Sequence, residues 1–382
     1  MSDSVSFEVE ATHIQAAAHL AHVASLQGQN TVLENVLLCL DDKNLSLCSS
    51  NSSTIFECIL PLVNGLPEIE GNALSFLVKA SSLANLTNKV AGASCFTVNI
   101  RDNSLTYKQA TSNLVLPIKG ALDWPNLNTA FETELASLRL PKKIVKEMLH
   151  FSKFFMASSQ DPHMHLVEIR DGLAITSDRT KFGFFEAADF GDLAFRITGD
   201  QVPILDKILD YFPLEITIST TDRLTFITNL DPYFRIGFSG INVSLPVALD
   251  QVPYLEEPNK VTSDRHQLLK ALARLSVVSS SDMPKVKLDI VGLTDSCKLK
   301  LSVVNELGHE STEVLTCERL LSDHQKAYSI VPLGPLQKLL KMQSQDEVGL
   351  QFGIGNKYIK IVDTMTNAVS YSVFQSIASL SS

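Results

Sequence analysis

The chain has 382 residues, 45% of them hydrophobic, with 42 acidic against 32 basic residues and a formal charge of −10. That length and apolar content suffice for two or three buried cores and exclude a disordered chain, and no apolar run approaches the roughly eighteen residues of a membrane span, so a soluble cytoplasmic protein is expected. The acidic balance argues against a protein that coats nucleic acid, so any contact with DNA must depend on where the cations sit.

In chain order, the first apolar stripe is Ala16, Leu20 and Val23, whose i, i+4, i+7 spacing puts them on one helical face. Strand-like runs NVLLCL and LSLCSS follow, and a second stripe at Leu83, Leu86 and Val90 predicts another helix. Behind it FTVNI, LTYKQ and LVLPI alternate between turn residues, the pattern of a three-stranded meander. The plan is then written again. Ile144, Met148 and Phe151 mark a helix, HLVEI and LAITS strands, Leu205, Ile208 and Phe212 a helix, and LEITI, LTFIT and YFRIGF a meander. A third copy runs from Leu268, Leu272 and Leu275 through Leu333, Leu336 and Leu340 to VGLQF, YIKIV and AVSYSVF. First stripes begin 128 and 124 residues apart, second stripes 122 and 128, and a repeat at near-constant spacing determines the architecture. Linker-type composition at 123–134 and 253–260 sets expected domains at 1–128, 129–256 and 257–382, the last with a C-terminal tail.

Three segments carry a resemblance to a known family, the β subunit of bacterial DNA polymerase III, or β sliding clamp. SNLVLPIKGALDWP at 112–125 resembles the family's strand ending in Asp-aromatic-Pro before the linker. LAITSDRTKF at 173–182 resembles its L-x-x-V-A-T-D-G-H-R-L segment, and RHQLLKALARLSVVSSSDMPKVKLDI at 265–290 its third-domain helix, serine-containing turn and strand. The resemblance covers about residues 7–378. It implies an α+β DNA clamp fold of three repeated domains, each with two helices packed on antiparallel sheets, forming a head-to-tail dimeric ring. It further implies a processivity factor that encircles double-stranded DNA without sequence specificity and tethers DNA polymerase and clamp loader through short peptides. No membrane partner, cofactor or metal is expected.

The six predicted helical segments together carry +9, leaving −19 on the rest of the chain. Diffuse positive charge facing phosphates is what a ring that slides on DNA requires. The DNA-facing set would be Lys79, Lys89, Lys142, Lys143, Lys146, Lys153, Lys207, Arg265, Lys270, Arg274, Lys338 and Lys341. Exposed helix faces also favour lysine on propensity alone, and the first helix departs from the pattern, with three histidines and no Lys or Arg.

The resemblance places a partner-peptide pocket at Ser177, Arg179, Thr180, Lys181, Phe182, Pro246, Met283, Val373 and Phe374, residues that also suit an ordinary domain joint. This chain has Arg179-Thr180-Lys181 where the family has Gly-His-Arg, and ends in FQSIASLSS where the family has Met-Pro-Met-Arg-Leu. Ring closure is implied at Leu114 and Leu116 on one side and Val277 and Val278 on the other, positions that equally suit the cores of their own domains.

Signatures of catalysis are missing: no G-x-x-x-x-G-K-[ST], H-E-x-x-H or G-x-S-x-G occurs, and no enzyme is expected. His163 and His165 share a strand face but lack a third ligand, and FGIGNK precedes a strand and reads as a hairpin turn. The six cysteines contain no C-x-x-C pair and are expected to be reduced. The alternative function is a non-enzymatic, β-rich assembly scaffold that does not encircle DNA.

Overall fold

Six copies of a strand–helix–three-strand unit follow one another along the chain. The computed structural model describes residues 4–25, 31–51, 53–66, 73–88, 93–99, 102–109, 112–125, 136–158, 160–161, 164–221, 224–230, 233–239, 244–254, 257, 259–279, 283–292, 297–321, 327–365 and 368–377. The first copy is β1 (Ser4–Glu10), α1 (Ala11–Val23), β2 (Asn35–Leu40), β3 (Asn44–Ser50) and β4 (Thr54–Pro61). The second is β5 (Leu74–Lys79), α2 (Ala80–Thr87), β6 (Ala93–Asn99), β7 (Ser104–Gln109) and β8 (Ser112–Gly120). The third and fourth are β9 (Ala136–Pro141), α3 (Lys142–Phe155), β10 (Leu166–Arg170), β11 (Leu173–Ser177), β12 (Lys181–Glu186), and β13 (Phe195–Thr198), α4 (Gln201–Leu209), β14 (Glu215–Thr220), β15 (Leu224–Leu230), β16 (Tyr233–Ser239). The fifth is β17 (Asn259–Asp264), α5 (Arg265–Val278), β18 (Lys285–Val291), β19 (Lys298–Val304) and β20 (Glu310–Thr316), followed by the short β21 (Glu318–Leu321). The sixth is β22 (Tyr328–Pro332), α6 (Leu333–Met342), β23 (Glu347–Phe352), β24 (Tyr358–Thr364) and β25 (Val369–Gln375).

Pairing exchanges the first strands of neighbouring copies: β1 pairs with β6 and β5 with β2, β9 with β14 and β13 with β10, β17 with β23 and β22 with β18. Each copy therefore needs its neighbour to complete a sheet. Last strands join in a second way, β4 to β16 and β12 to β25. Among the described residues, β8 and β20 are the meander-ending strands without such a counterpart, and β20 is the edge of its sheet.

The chain divides into two compact units, residues 1–143 with 200–241, and 144–199 with 242–382. In the first, a twelve-stranded antiparallel sheet runs β1-β6-β7-β8-β5-β2-β3-β4-β16-β15-β14-β9. Its α1 and α2 pack on each other, α1 also against β3 and β4. In the second, a nine-stranded sheet runs β13-β10-β11-β12-β25-β24-β23-β17-β21 beside a four-stranded sheet β20-β19-β18-β22, with α5 and α6 packed together.

The apolar stripes explain these helices. Ile144, Met148, Phe151, Leu268, Leu272, Leu275, Leu333, Leu336 and Leu340 are all buried. One stripe is shifted from its expected place. In α1 the buried face is Ile14, Ala17, Ala18, Leu20 and Ala21, while Ala16 and Val23 are only half-buried. Alanine carries little apolar contrast, so a helix packed through alanines gives a weak periodic signal. Val90 lies outside the described residues.

Turn chemistry sets the strand registers. Asp171 and Gly172 both have positive φ, +50° and +77°, between the paired residues Arg170 and Leu173, the two-residue hairpin that Asp-Gly favours. FGIGNK is likewise a hairpin connection, joining the antiparallel β23 and β24 with Gly355 at φ +67°.

Candidate functional site

The second unit holds a sheet face on which several expected pocket residues meet. Directly paired residues of an antiparallel sheet project to the same side, and neighbours along a strand to opposite sides. Ser177 pairs with Phe182, and Phe182 with Val373, so these three share one face with Ile175, Phe184 and Tyr371. Lys181 and Phe374 are also paired, but on the other side, which packs against α3. There Lys181 Nζ donates to the Phe154 carbonyl at 2.7 Å, and the Phe374 ring lies 6.3 Å from that of Phe155. Period-two alternation therefore divides the expected pocket set between two faces.

The segment 244–254 is bound to the first face through a buried ionic network. Glu168, 3% exposed, accepts the Leu245 amide at 2.7 Å, the Ser244 hydroxyl at 2.8 Å and Arg196 Nε at 3.0 Å. Arg170 reaches Glu168 at 2.9 Å, donates to Asp250 at 2.6 Å and caps the Pro246 carbonyl at 3.2 Å. Burial alone would raise the Glu168 carboxyl, but Ser244, the Leu245 amide, Arg196 and Arg170 outweigh it and hold it below the usual carboxylate range. Tyr254, at the end of the segment, stacks edge-on over Tyr371, whose hydroxyl donates to Glu186 at 3.0 Å. Pro246 thus lies on the Phe182 side, held by its own carbonyl. Nothing periodic in the sequence signals this network, because Arg196 lies 28 residues from Glu168 and Asp250 80 residues from Arg170.

Arg179 and Thr180 form the β11–β12 turn. Asp178 Oδ1 accepts the Thr180 and Lys181 amides and the Thr180 hydroxyl. Arg179 stands at φ +74°, a conformation that suits glycine, and its guanidinium pairs with Asp161 at 2.8 Å. Met283 is 81% exposed just ahead of β18.

The helix cations are unevenly distributed. In the observed helices the excess positive charge falls on α3, α5 and α6, while α1, α2 and α4 are neutral. Lys143, Lys153, Lys207, Lys270, Lys338 and Lys341 are exposed, as is Lys79 just before α2, and Lys146 is half-buried. Three others are engaged within the protein: Lys142 with the Phe212 carbonyl at 2.6 Å, Arg265 with Asp346 at 3.4 Å and Arg274 with Glu313 at 2.6 Å. Lys89 lies outside the described residues. On α1, burial, followed by the nearby His22 and Lys207, holds His19 below its ordinary range, and burial does the same to His22.

Of the expected ring-closing residues, Leu114 and Val278 are 45% exposed and Val277 is 85% exposed, while Leu116 is half-buried. The two meander-ending strands not joined to another such strand add Val115 on β8 and Val314 on β20, both more than half exposed. His165, one of the two candidate metal-binding histidines, sets Nδ1 2.7 Å from the Ala157 carbonyl and packs its ring on Gly199. Its companion His163 lies outside the described residues. No helix among the described residues is long and apolar enough to cross a membrane.

No family model and no curated protein matches the chain in sequence. Solved structures match it in fold over nearly its whole length. The DNA polymerase III subunit β of Pseudomonas aeruginosa aligns over 98% of this chain and 100% of its own, with a TM-score of 0.79 and 16% identity. The β subunit of Thermotoga maritima aligns over 98% and 99%, with a TM-score of 0.78 and 13% identity. The C. crescentus β sliding clamp aligns over 98% and 100%, with a TM-score of 0.79 and 12% identity. The architecture is therefore the DNA clamp fold. Within that fold, its arrangement is similar to that of the bacterial DNA polymerase III β subunits over nearly the full length of both chains.

Proposed function

We propose that the chain is a sliding clamp, a non-catalytic processivity factor and divergent relative of the DNA polymerase III β subunit, acting in the cytoplasm at the replication fork. The observation that carries this reading is the end-to-end match to β clamps, at 98% of this chain and 99–100% of theirs. In this reading residues 1–128, 129–256 and 257–382 are three clamp domains, and two copies close head to tail around duplex DNA. The internal pairing rule supports closure: last strands join β4 to β16 and β12 to β25, and β8 pairs with β5 only through Ile118–Gly120, which leaves its earlier part, Ser112–Pro117, to meet β20 of the other copy. Exposed Leu114, Val115, Val277, Val278 and Val314 would be covered there.

Charge segregation supports DNA contact without base reading, because lysines on α3, α5 and α6 offer point charges to phosphates within an acidic protein. Partner peptides of the polymerase and clamp loader would seat apolar anchors beside Ser177, Phe182, Pro246 and Val373. Arg179, Thr180 and Met283 would border them, and Lys181 and Phe374 would support the site from behind.

Long-product synthesis by the cognate polymerase and loader on primed circular DNA tests the function. Stimulation on circles that disappears once the template is linearised is expected. A protein that remains a monomer by light scattering, forms no ring by microscopy and gives no stimulation would be a β-rich scaffold instead.

A further inference from the structure

Cys297 and Cys317 face each other where β19 begins and β20 ends. They extend the β19–β20 register one step beyond the Lys298–Thr316 pair, and the Cys317 amide donates to the Cys297 carbonyl at 3.2 Å. Their sulfurs are 3.2 Å apart, and both residues are thiols, buried at 2% and 8% exposure. A disulfide bond is about 2.05 Å long, and its α-carbons stand about 4.4–6.8 Å apart, a range that includes facing residues of an antiparallel pair. Side-chain rotation and a small approach suffice to close the bond.

The position gives such a bond a consequence. Cys317 is the single residue between β20, an edge strand of the four-stranded sheet, and β21, which pairs with β17 in the nine-stranded sheet. It is the point at which the chain changes sheets. An edge strand has a ladder partner on one side only and opens locally more easily than a central one, which gives a small oxidant access to the buried thiols.

We propose that Cys297 and Cys317 form a redox-closable dithiol that, when oxidised, pins the edge strand β20 to β19. The oxidant is a small disulfide such as glutathione disulfide. One cysteine thiolate attacks it, forming a mixed disulfide and expelling one glutathione thiolate; the second attacks the cysteine sulfur of the mixed disulfide and expels the other. Two electrons pass from the protein to the oxidant, and the two thiol protons leave with the two glutathione molecules. Among the described side chains, the other cysteines are less well placed. Burial, with Glu57 and Cys39 nearby, pushes the Cys48 thiol up to about 12, burial keeps Cys58 protonated, and Cys39 lies 3.3 Å from the Ser75 hydroxyl. The effect on ring closure rests on the clamp reading, because β20 is the strand that would meet β8 of a second copy; the bond itself does not.

The full chain is incubated with glutathione disulfide, quenched by alkylation and mapped by peptide mass, reduced and oxidised samples side by side. An intramolecular link between Cys297 and Cys317 is expected, with loss of two hydrogens per chain, reversal by dithiothreitol, and no such link in Cys297→Ala or Cys317→Ala. Amide exchange across β20 should slow by about tenfold or more in the oxidised wild type. Six alkylated thiols after oxidation, a link between other cysteines, or a link with unchanged exchange in β20 would each overturn the proposal. A monomeric protein that forms the link would defeat the clamp reading alone, and a ring-forming protein without the link would defeat this one alone.

Discussion

The backbone of Gly183 lies directly on the ring of Phe155, so that a β-carbon added at residue 183 would stand 2.5 Å from Phe155 Cδ2 and 3.0 Å from Phe151 Cε1. Phe155 is fully buried, and its ring is in contact distance of Phe151, Phe154 and Phe374. The ring cannot retreat without displacing that cluster. Gly183→Ala should therefore destabilise the protein by about 1–3 kcal/mol, the usual cost of overpacking a core. Denaturant melts provide the measurement, and adding Phe155→Leu should recover part of the loss. A neutral Gly183→Ala would mean that β12 and α3 are not packed this closely.

Glu168 should give a second signature, in the pH dependence of stability. Its folded-state pKa is depressed, so its stabilising contribution is fully present above the ordinary glutamate value of about 4.3 and is lost as pH falls through the lower folded value. Glu168→Gln leaves Arg170 and Arg196 without their shared carboxylate and should cost about 3 kcal/mol at neutral pH, as expected when one partner of a buried ion pair is removed. The gap between wild type and variant should narrow below about pH 4. Urea melts over a pH series measure it, and a pH-independent gap would show that the charge is not what binds the 244–254 segment.

How much of this was legible beforehand follows from what each feature needs. Helices built on Leu, Ile and Phe announce themselves through periodicity, as Leu268, Leu272 and Leu275 do, whereas α1 packs through Ala17, Ala18 and Ala21 and shows its face only in three dimensions. The strand runs are readable for the same reason. The candidate pocket was only half readable. Lys181 follows Thr180 and precedes Phe182 in a motif, but a strand sends Lys181 and Phe182 to opposite sides, and a position-by-position transfer ignores that alternation. Strand register, not spacing, brings Cys297 to Cys317 and Glu168 to Arg196.

Peptide docking should depend on the Phe182 face and not on the α3 side. Phe182 is half-buried and paired with Val373, so Phe182→Ala should weaken a fluorescent peptide from the cognate polymerase by about 2 kcal/mol, the loss typical of an apolar anchor site. Thermal stability and oligomeric state should be little changed. Lys181→Met, on the α3 side, should instead lower stability and leave peptide affinity nearly intact, because Lys181 interacts with the Phe154 carbonyl and Asp178. The reverse ranking would put the peptide site elsewhere.

DNA binding through diffuse charge predicts a salt slope that tracks lysine number. Lys153, Lys270 and Lys338 are exposed on α3, α5 and α6, and replacing all three by alanine should reduce the slope of log affinity against log salt by about 0.9 for each phosphate that is no longer neutralised. Arg274→Ala should change it less, since that guanidinium is already paired with Glu313. Fluorescence anisotropy with a short duplex, titrated across salt, separates the two. An effect confined to particular DNA sequences would argue for base reading and against a sliding ring.

Ring closure can be tested where the fold itself is least at risk. Val277 and Val278 end α5 at 85% and 45% exposure, so their removal takes little from the core of one chain. Changing both to aspartate would bury like charges at a closed joint, a cost that a small apolar patch cannot offset. The double variant should keep the wild-type circular dichroism spectrum and melting temperature at low protein concentration, while its light-scattering mass falls from dimer to monomer. Charges at Val115 and Val314 should act in the same direction, because the pairing rule leaves β8 and β20 as the strands to be joined. A dimer that survives both pairs of changes would have to close through another surface, and the head-to-tail arrangement would fall with it.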